Sequence, residues 1–184
     1  MQASSILMQE HRQIEGVLAS LEAGARRLEK GESIPPKFFV EAADFIKGFA
    51  DGCHHAKEEG VLFPAMEAAG VRKEGGPIGA MLAQHEEGRR LTAAMRAAAE
   101  TLEAGVPAAK AEVVRNALAY VALLRMHISR EDDHLFPMVD RLFPETKQEQ
   151  LVEAFERVEQ EKAGEGEHEN YLHLAKKLEK EAEA

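Results

Sequence analysis

The chain has 184 residues, 45% hydrophobic and 30% charged, with a formal net charge of -10. That length suits one domain with a substantial core, and the composition excludes the polar, weakly hydrophobic class of disordered chains. The acidic balance removes the electrostatic attraction that nucleic acid or an anionic membrane surface requires, which leaves small molecules and proteins as partners.

The single cysteine, Cys53, excludes an intramolecular disulfide and fits a reducing compartment. The N-terminus has no basic stretch followed by a long apolar one, and no later segment is long and uncharged enough to span a bilayer. A cytoplasmic protein is expected, with no membrane partner, as a monomer or homodimer.

Apolar residues recur at three- and four-residue spacing almost throughout, without sustained alternation, so the chain reads as all-α. A first helix, about 3–30, stops in the stretch from Gly31 to Pro36. A second, about 37–69, stops between Gly70 and Pro77. A third, about 77–104, ends at Gly105 to Pro107, and a fourth, about 108–142, ends at the Phe143-Pro144 step. Four long helices with short connections predict an antiparallel up-down four-helix bundle over 1–142. Residues 143–184 are expected to form a C-terminal helical extension packed on that bundle. There Leu151, Phe155 and Val158 keep helical spacing before a break near Gly164 and Gly166, and Tyr171, Leu174 and Leu178 keep it afterwards. The Glu- and Lys-rich face of this extension reads as a solvated surface.

An internal repeat carries the chemistry. Superimposing Leu62-Phe63-Pro64 on Leu135-Phe136-Pro137, an offset of 73, places His54 on His127, Glu58 on Glu131, Glu59 on Asp132 and Lys57 on Arg130. The earlier helices align Leu7-Met8-Gln9-Glu10-His11 with Met81-Leu82-Ala83-Gln84-His85 at an offset of 74. Each half therefore offers one His and then HxxxE. Residues four apart share a helix face, about 6 Å along the axis, so each His–Glu pair can reach one centre. In a bundle the inward faces converge, bringing His11, His54, His85 and His127 together with Glu58 and Glu131. Buried carboxylates need a compensating cation, and a two-metal site supplies it. Nitrogen and oxygen ligands without thiolate leave iron, manganese, zinc and copper open.

The pattern resembles the hemerythrin-like (HHE cation-binding) family. The resemblance rests on Glu10-His11, on His54-xxx-Glu58 with Leu62-Phe63-Pro64, on His85-Glu86-Glu87-Gly88-Arg89, and on His127-xxx-Glu131 with Leu135-Phe136-Pro137. It covers about 1–142 and implies a non-haem centre of two iron ions with a bridging oxo or hydroxo group. It further implies His11 and His54 on one iron, His85 and His127 on the other, and Glu58 and Glu131 bridging. Such a centre binds or reacts with dioxygen, nitric oxide or peroxide, with enzymatic turnover left open. The alternative is iron binding or storage, or sensing of iron or oxygen, without turnover. Oxygen carriers of the family have a further His four residues after the third-helix one, where this chain has Arg89. Five ligands per iron and two open positions are therefore expected, which suits peroxide or nitric oxide as well as oxygen.

His55 and Glu59 form a second HxxxE, rotated about 100° from the first. Only one register is expected to point inward, and the repeat selects His54 and Glu58, because Ile128 and Asp132 stand opposite His55 and Glu59. Glu59, Asp132 and Glu86 are candidates to hold ligating imidazoles through their free N–H. Pro64 and Pro137 should kink or end their helices just beyond the ligands. Cys53 reads as a small core residue. In the extension, His168 or Tyr171 could serve the site as ligand, gate or hydrogen-bond donor.

Overall fold

The computed structural model describes residues 2–163 and 167–184 and contains helices and no strand among them. Helix α1 (Ala3–Lys30) ends where Gly31 turns left-handed at φ 82°, and the N–H groups of Gly31 and Glu32 return to the carbonyls of Leu28 and Arg27. Helix α2 (Pro36–Phe45) opens with proline in its first turn, where a missing N–H costs nothing. It runs on without a break into a π-helical segment, π1 (Ile46–His55), and then through a second, π2 (Glu58–Leu62), into α3 (Phe63–Ala68). Helix α4 (Pro77–Glu103) is again proline-started. After a single 3₁₀ turn at Pro107–Ala109 comes α5 (Lys110–Arg130), continued by π3 (Glu131–Leu135) and α6 (Phe136–Leu142). Phe143, held extended by the following Pro144, ends this rod. Helices α7 (Glu145–Ala163) and α8 (Glu167–Glu183) complete the chain. The break expected at Gly164 and Gly166 lies outside the described residues.

Of the two outcomes expected at Pro64 and Pro137, kinking or ending the helix, the ending does not occur. The turn before each widens from α to π, so the ring avoids the carbonyl it would strike in a regular helix, and the rod continues.

Two apolar clusters fill the interior. One gathers Leu18, Leu21, Phe38, Phe45, Phe49, Met95 and Tyr120, and the other Leu7, Leu62, Phe63, Met66, Phe136 and Phe155. Each fully buried large side chain contributes about 1.5–3 kcal/mol. Along every one of the four rods the buried His and Glu residues fall between members of the two clusters. Thus His11 lies between Leu7 and Ile14, and His85 between Met81 and Leu91; His54 and Glu58 lie between Ala50 and Leu62, and His127 and Glu131 between Leu124 and Leu135. Helices α1 and α4 pass from the second cluster to the first, while the α2–α3 and α5–α6 rods pass the opposite way. Leu151 and Phe155 of α7 join the second cluster and Leu178 and Ala182 of α8 the first. No helix among the described residues is long and apolar enough to cross a membrane.

Candidate metal centre

The polar layer between the clusters is wholly buried. Glu58 and Glu131 expose none of their surface, and His11, His54, His55, His85 and His127 at most a few per cent. They form two groups able to hold a cation: His11, His54, Glu58 and Glu131 in one, and His55, Glu58, His85 and His127 in the other. Within each group the ligand atoms lie within 4.8 Å of one another.

Across the first group His11 Nε2 stands 3.0 Å from His54 Nε2, and across the second His85 Nε2 stands 3.2 Å from His127 Nε2. Two nitrogens bound at about 2.1 Å to one ion, at right angles to each other, lie about 3.0 Å apart. Glu58 turns one oxygen to each group, Oε1 at 3.6 Å from His54 Nε2 and Oε2 at 3.4 Å from His85 Nε2. Glu131 Oε2 is 3.2 Å from both His11 Nε2 and His127 Nε2. None of the four carboxylate oxygens has a hydrogen bond among the described residues, and neither has His55 Nε2. Buried polar atoms left in that condition are costly, and the donor set fits divalent cations.

Every imidazole is anchored from behind. The Nδ1–H of His11 donates to Asp132 at 2.7 Å, that of His54 to Glu10 at 2.9 Å, and that of His85 to Glu59 at 2.7 Å. His55 donates to Asp51 at 2.8 Å and His127 to the amide oxygen of Gln84 at 2.9 Å. These acceptors fix each ring's orientation, so five Nε2 atoms face the two glutamates.

Charge follows the same plan. Burial disfavours the imidazolium of His11, but the neighbouring carboxylates of Asp132 and Glu131 outweigh it and raise the group to about 9. His85 is likewise raised to about 9, by Glu58 and Glu59 against burial. His55, which burial and the neighbouring imidazole of His85 push well below the ordinary histidine value, stays neutral. Burial acts to raise the Glu131 carboxyl, yet His127 and His11 hold it below the usual range.

Residues 2–139 match the hemerythrin HHE cation binding domain, three quarters of the chain. The chain belongs to the hemerythrin HHE family. The chain is 29% identical over 159 residues to uncharacterized proteins of Mycobacterium bovis and of two Mycobacterium tuberculosis strains. That alignment takes in 86% of this chain and 62% of each relative's length. No solved structure matches the chain.

For this hemerythrin-family chain the six residues singled out by the repeat all lie in the two cation-holding groups. The expectation that only one register of the second rod faces inward does not hold. The wider turns of π1 bring His54 into one cation-holding group and His55 into the other. Arg89 itself donates to Glu59 and Glu86 at 2.6 Å and lies 3.6 Å from Asp51. Asp132 and Glu59 sit behind the imidazoles of His11 and His85. Glu86 does not, because it points to solvent and meets only Arg89. His168 contacts Glu159 and the ring of Phe49, and Tyr171 packs on Phe45, Phe49 and the backbone at Gly48, so neither belongs to the cation-holding groups. Cys53 is buried.

Sequence reasoning overlooked Glu10, Gln84, Asp51 and Lys57. Three of them carry a signal: Glu10 and Gln84 are equivalent in the repeat and each directly precedes a ligand, and Asp51 is four residues before His55.

Proposed function

We propose that this chain is a non-haem di-iron protein of hemerythrin-like, antiparallel four-helix architecture that binds or reacts with dioxygen, nitric oxide or peroxide. The observation that carries the reading is the set of five imidazoles, each anchored at Nδ1 and aimed at two shared, otherwise unpartnered glutamates.

His11 and His54 would hold one ion and His55, His85 and His127 the other, with Glu58 and Glu131 shared. With a bridging oxygen, the three-histidine ion would have six ligands and the two-histidine ion five. A fifth imidazole would thus leave one open position rather than two, on the His11–His54 side. When bound, two ferrous ions supply the electrons that a small oxidant accepts.

The protein's own contribution is to bind, to orient and to exclude water. Phe136 stacks on His11 at 5.4 Å and Phe63 on His85 at 5.9 Å, both rings fully buried, so an arriving ligand of a few atoms meets an apolar wall rather than bulk solvent. The Nδ1 acceptors hold each imidazole in one orientation while a ligand comes and goes.

Anaerobic addition of ferrous iron, then of oxygen, nitric oxide or peroxide, tests the reading by metal analysis and absorption spectroscopy. Two iron ions per chain and a visible charge-transfer band are expected. A reversible band marks binding and sustained peroxide consumption marks turnover; a chain that takes up no iron refutes the proposal.

A further inference from the structure

The two halves of the repeat differ one step behind the ligands. In the second half the Nδ1–H of His127 meets a neutral amide, Gln84, and Arg130, the counterpart of Lys57, is exposed and makes no ion pair among the described residues. In the first half His54 meets a carboxylate, Glu10, whose other oxygen is bonded by the ammonium of Lys57. Lys57 is 1% exposed, an unusual place for a lysine, and its remaining partner is Glu159 of α7 at 3.1 Å. Glu159 in turn lies 3.3 Å from His168 of α8. An unbroken line of polar contacts therefore leads from the two C-terminal helices to the back of one proposed iron ligand.

Burying a lysine and a glutamate together costs several kcal/mol of desolvation, which a simple fastening of α7 to the rest of the protein does not require. The pairing does have a consequence at the centre. Lys57 bonds the far oxygen of Glu10 and so fixes which oxygen faces His54, and a carboxylate acceptor makes an imidazole a stronger metal donor than an amide does.

We propose that Lys57 is a positioning residue for the two-histidine ion, and that Glu159 of the extension completes its setting, so that the C-terminal helices tune the side of the centre carrying the open position. This inference rests on the di-iron reading above. It predicts that the two ions are inequivalent in a manner set by residues outside the ligand shell.

The test uses the full chain and ferrous iron, with Lys57→Met, Lys57→Arg and Glu159→Gln. Graded chelator competition and the absorption spectrum after oxygen addition are the readouts. In Lys57→Met one of the two ions should be held about ten- to a hundredfold more weakly, with the other unchanged and the band shifted. Glu159→Gln should weaken the same ion about two- to fivefold, because a half-exposed partner is screened, and Lys57→Arg should restore most of the loss. Glu159→Gln alters a partly exposed side chain and decides the matter even if Lys57→Met does not fold. Two ions held as in the parent chain, with an unchanged spectrum, or equal weakening of both, would overturn the proposal. A parent chain that binds no iron fails the di-iron reading itself, whereas a parent that loads two ions beside indifferent variants fails only this one.

Discussion

His55 stacks on His85 with ring centroids 3.8 Å apart and planes 17° from parallel. The contact joins an imidazole from the π1 segment to one from α4, and both rings belong to the same cation-holding group. Replacing His55 by leucine keeps the packing volume and removes the ligand, so the metal-free fold should persist while the iron content falls from two ions per chain toward one. Metal analysis with circular dichroism checks this. Two tightly held ions in His55→Leu would reduce His55 to a core residue.

Glu58 belongs to both groups, whereas each histidine belongs to one. Glu58→Gln should therefore weaken both ions together, while His11→Ala or His85→Ala should weaken one selectively. Stepwise titration with ferrous iron separates the two patterns.

The imidazoliums of His11 and His85 are raised to about 9 in the folded, metal-free chain from an ordinary 6.5. A raised value means that protonation favours the fold. This contribution is complete below about 6.5 and is lost as pH rises through about 9. Metal must displace the same protons, so apparent iron affinity should climb across that interval and loading near neutrality should release protons. Melting of the metal-free chain and proton release during titration measure the two effects. A metal-free melting temperature that rises between those limits would contradict the assignment.

Glu59 accepts from both His85 Nδ1 and Arg89. Glu59→Gln should cost about tenfold or more in affinity for one ion. Arg89→Ala, which removes a one-third-exposed guanidinium from the far side of Glu59, should cost less than about fivefold. Equal losses would show that Arg89 acts on the centre directly.

A Cβ added to Gly48 would lie 1.9 Å from the Tyr171 hydroxyl. Gly48→Ala should destabilise the fold by about 1–3 kcal/mol, and adding Tyr171→Ala should recover part of that loss, since the two changes share one contact. Thermal melts of the single and double variants give the coupling.

Much of the molecule was legible in the sequence. Apolar spacing and the Gly and Pro breaks mark the helices to within a residue or two, because they depend on local backbone chemistry alone. The repeat picks out His11, His54, Glu58, His85, His127 and Glu131, because a ligand pair four apart on one helix is a property of that helix. His55 was legible only as part of the second, alternative HxxxE that the repeat passed over. A regular helix turns it away from the centre, and only the widening of the backbone into π1 brings it in. Glu59 and Asp132 were legible as supporting carboxylates, but not which imidazole each supports: His11 finds Asp132 and His85 finds Glu59, each from the opposite half of the chain, and the spacing along one helix says nothing about what a neighbouring helix presents. The difference between a Glu10 backed by buried Lys57 and an unassisted Gln84 likewise exists only once α7 is packed in place. Sequence determined which residues share a face; the tertiary structure decided which faces meet, and with that how two nearly equal halves make an unequal site.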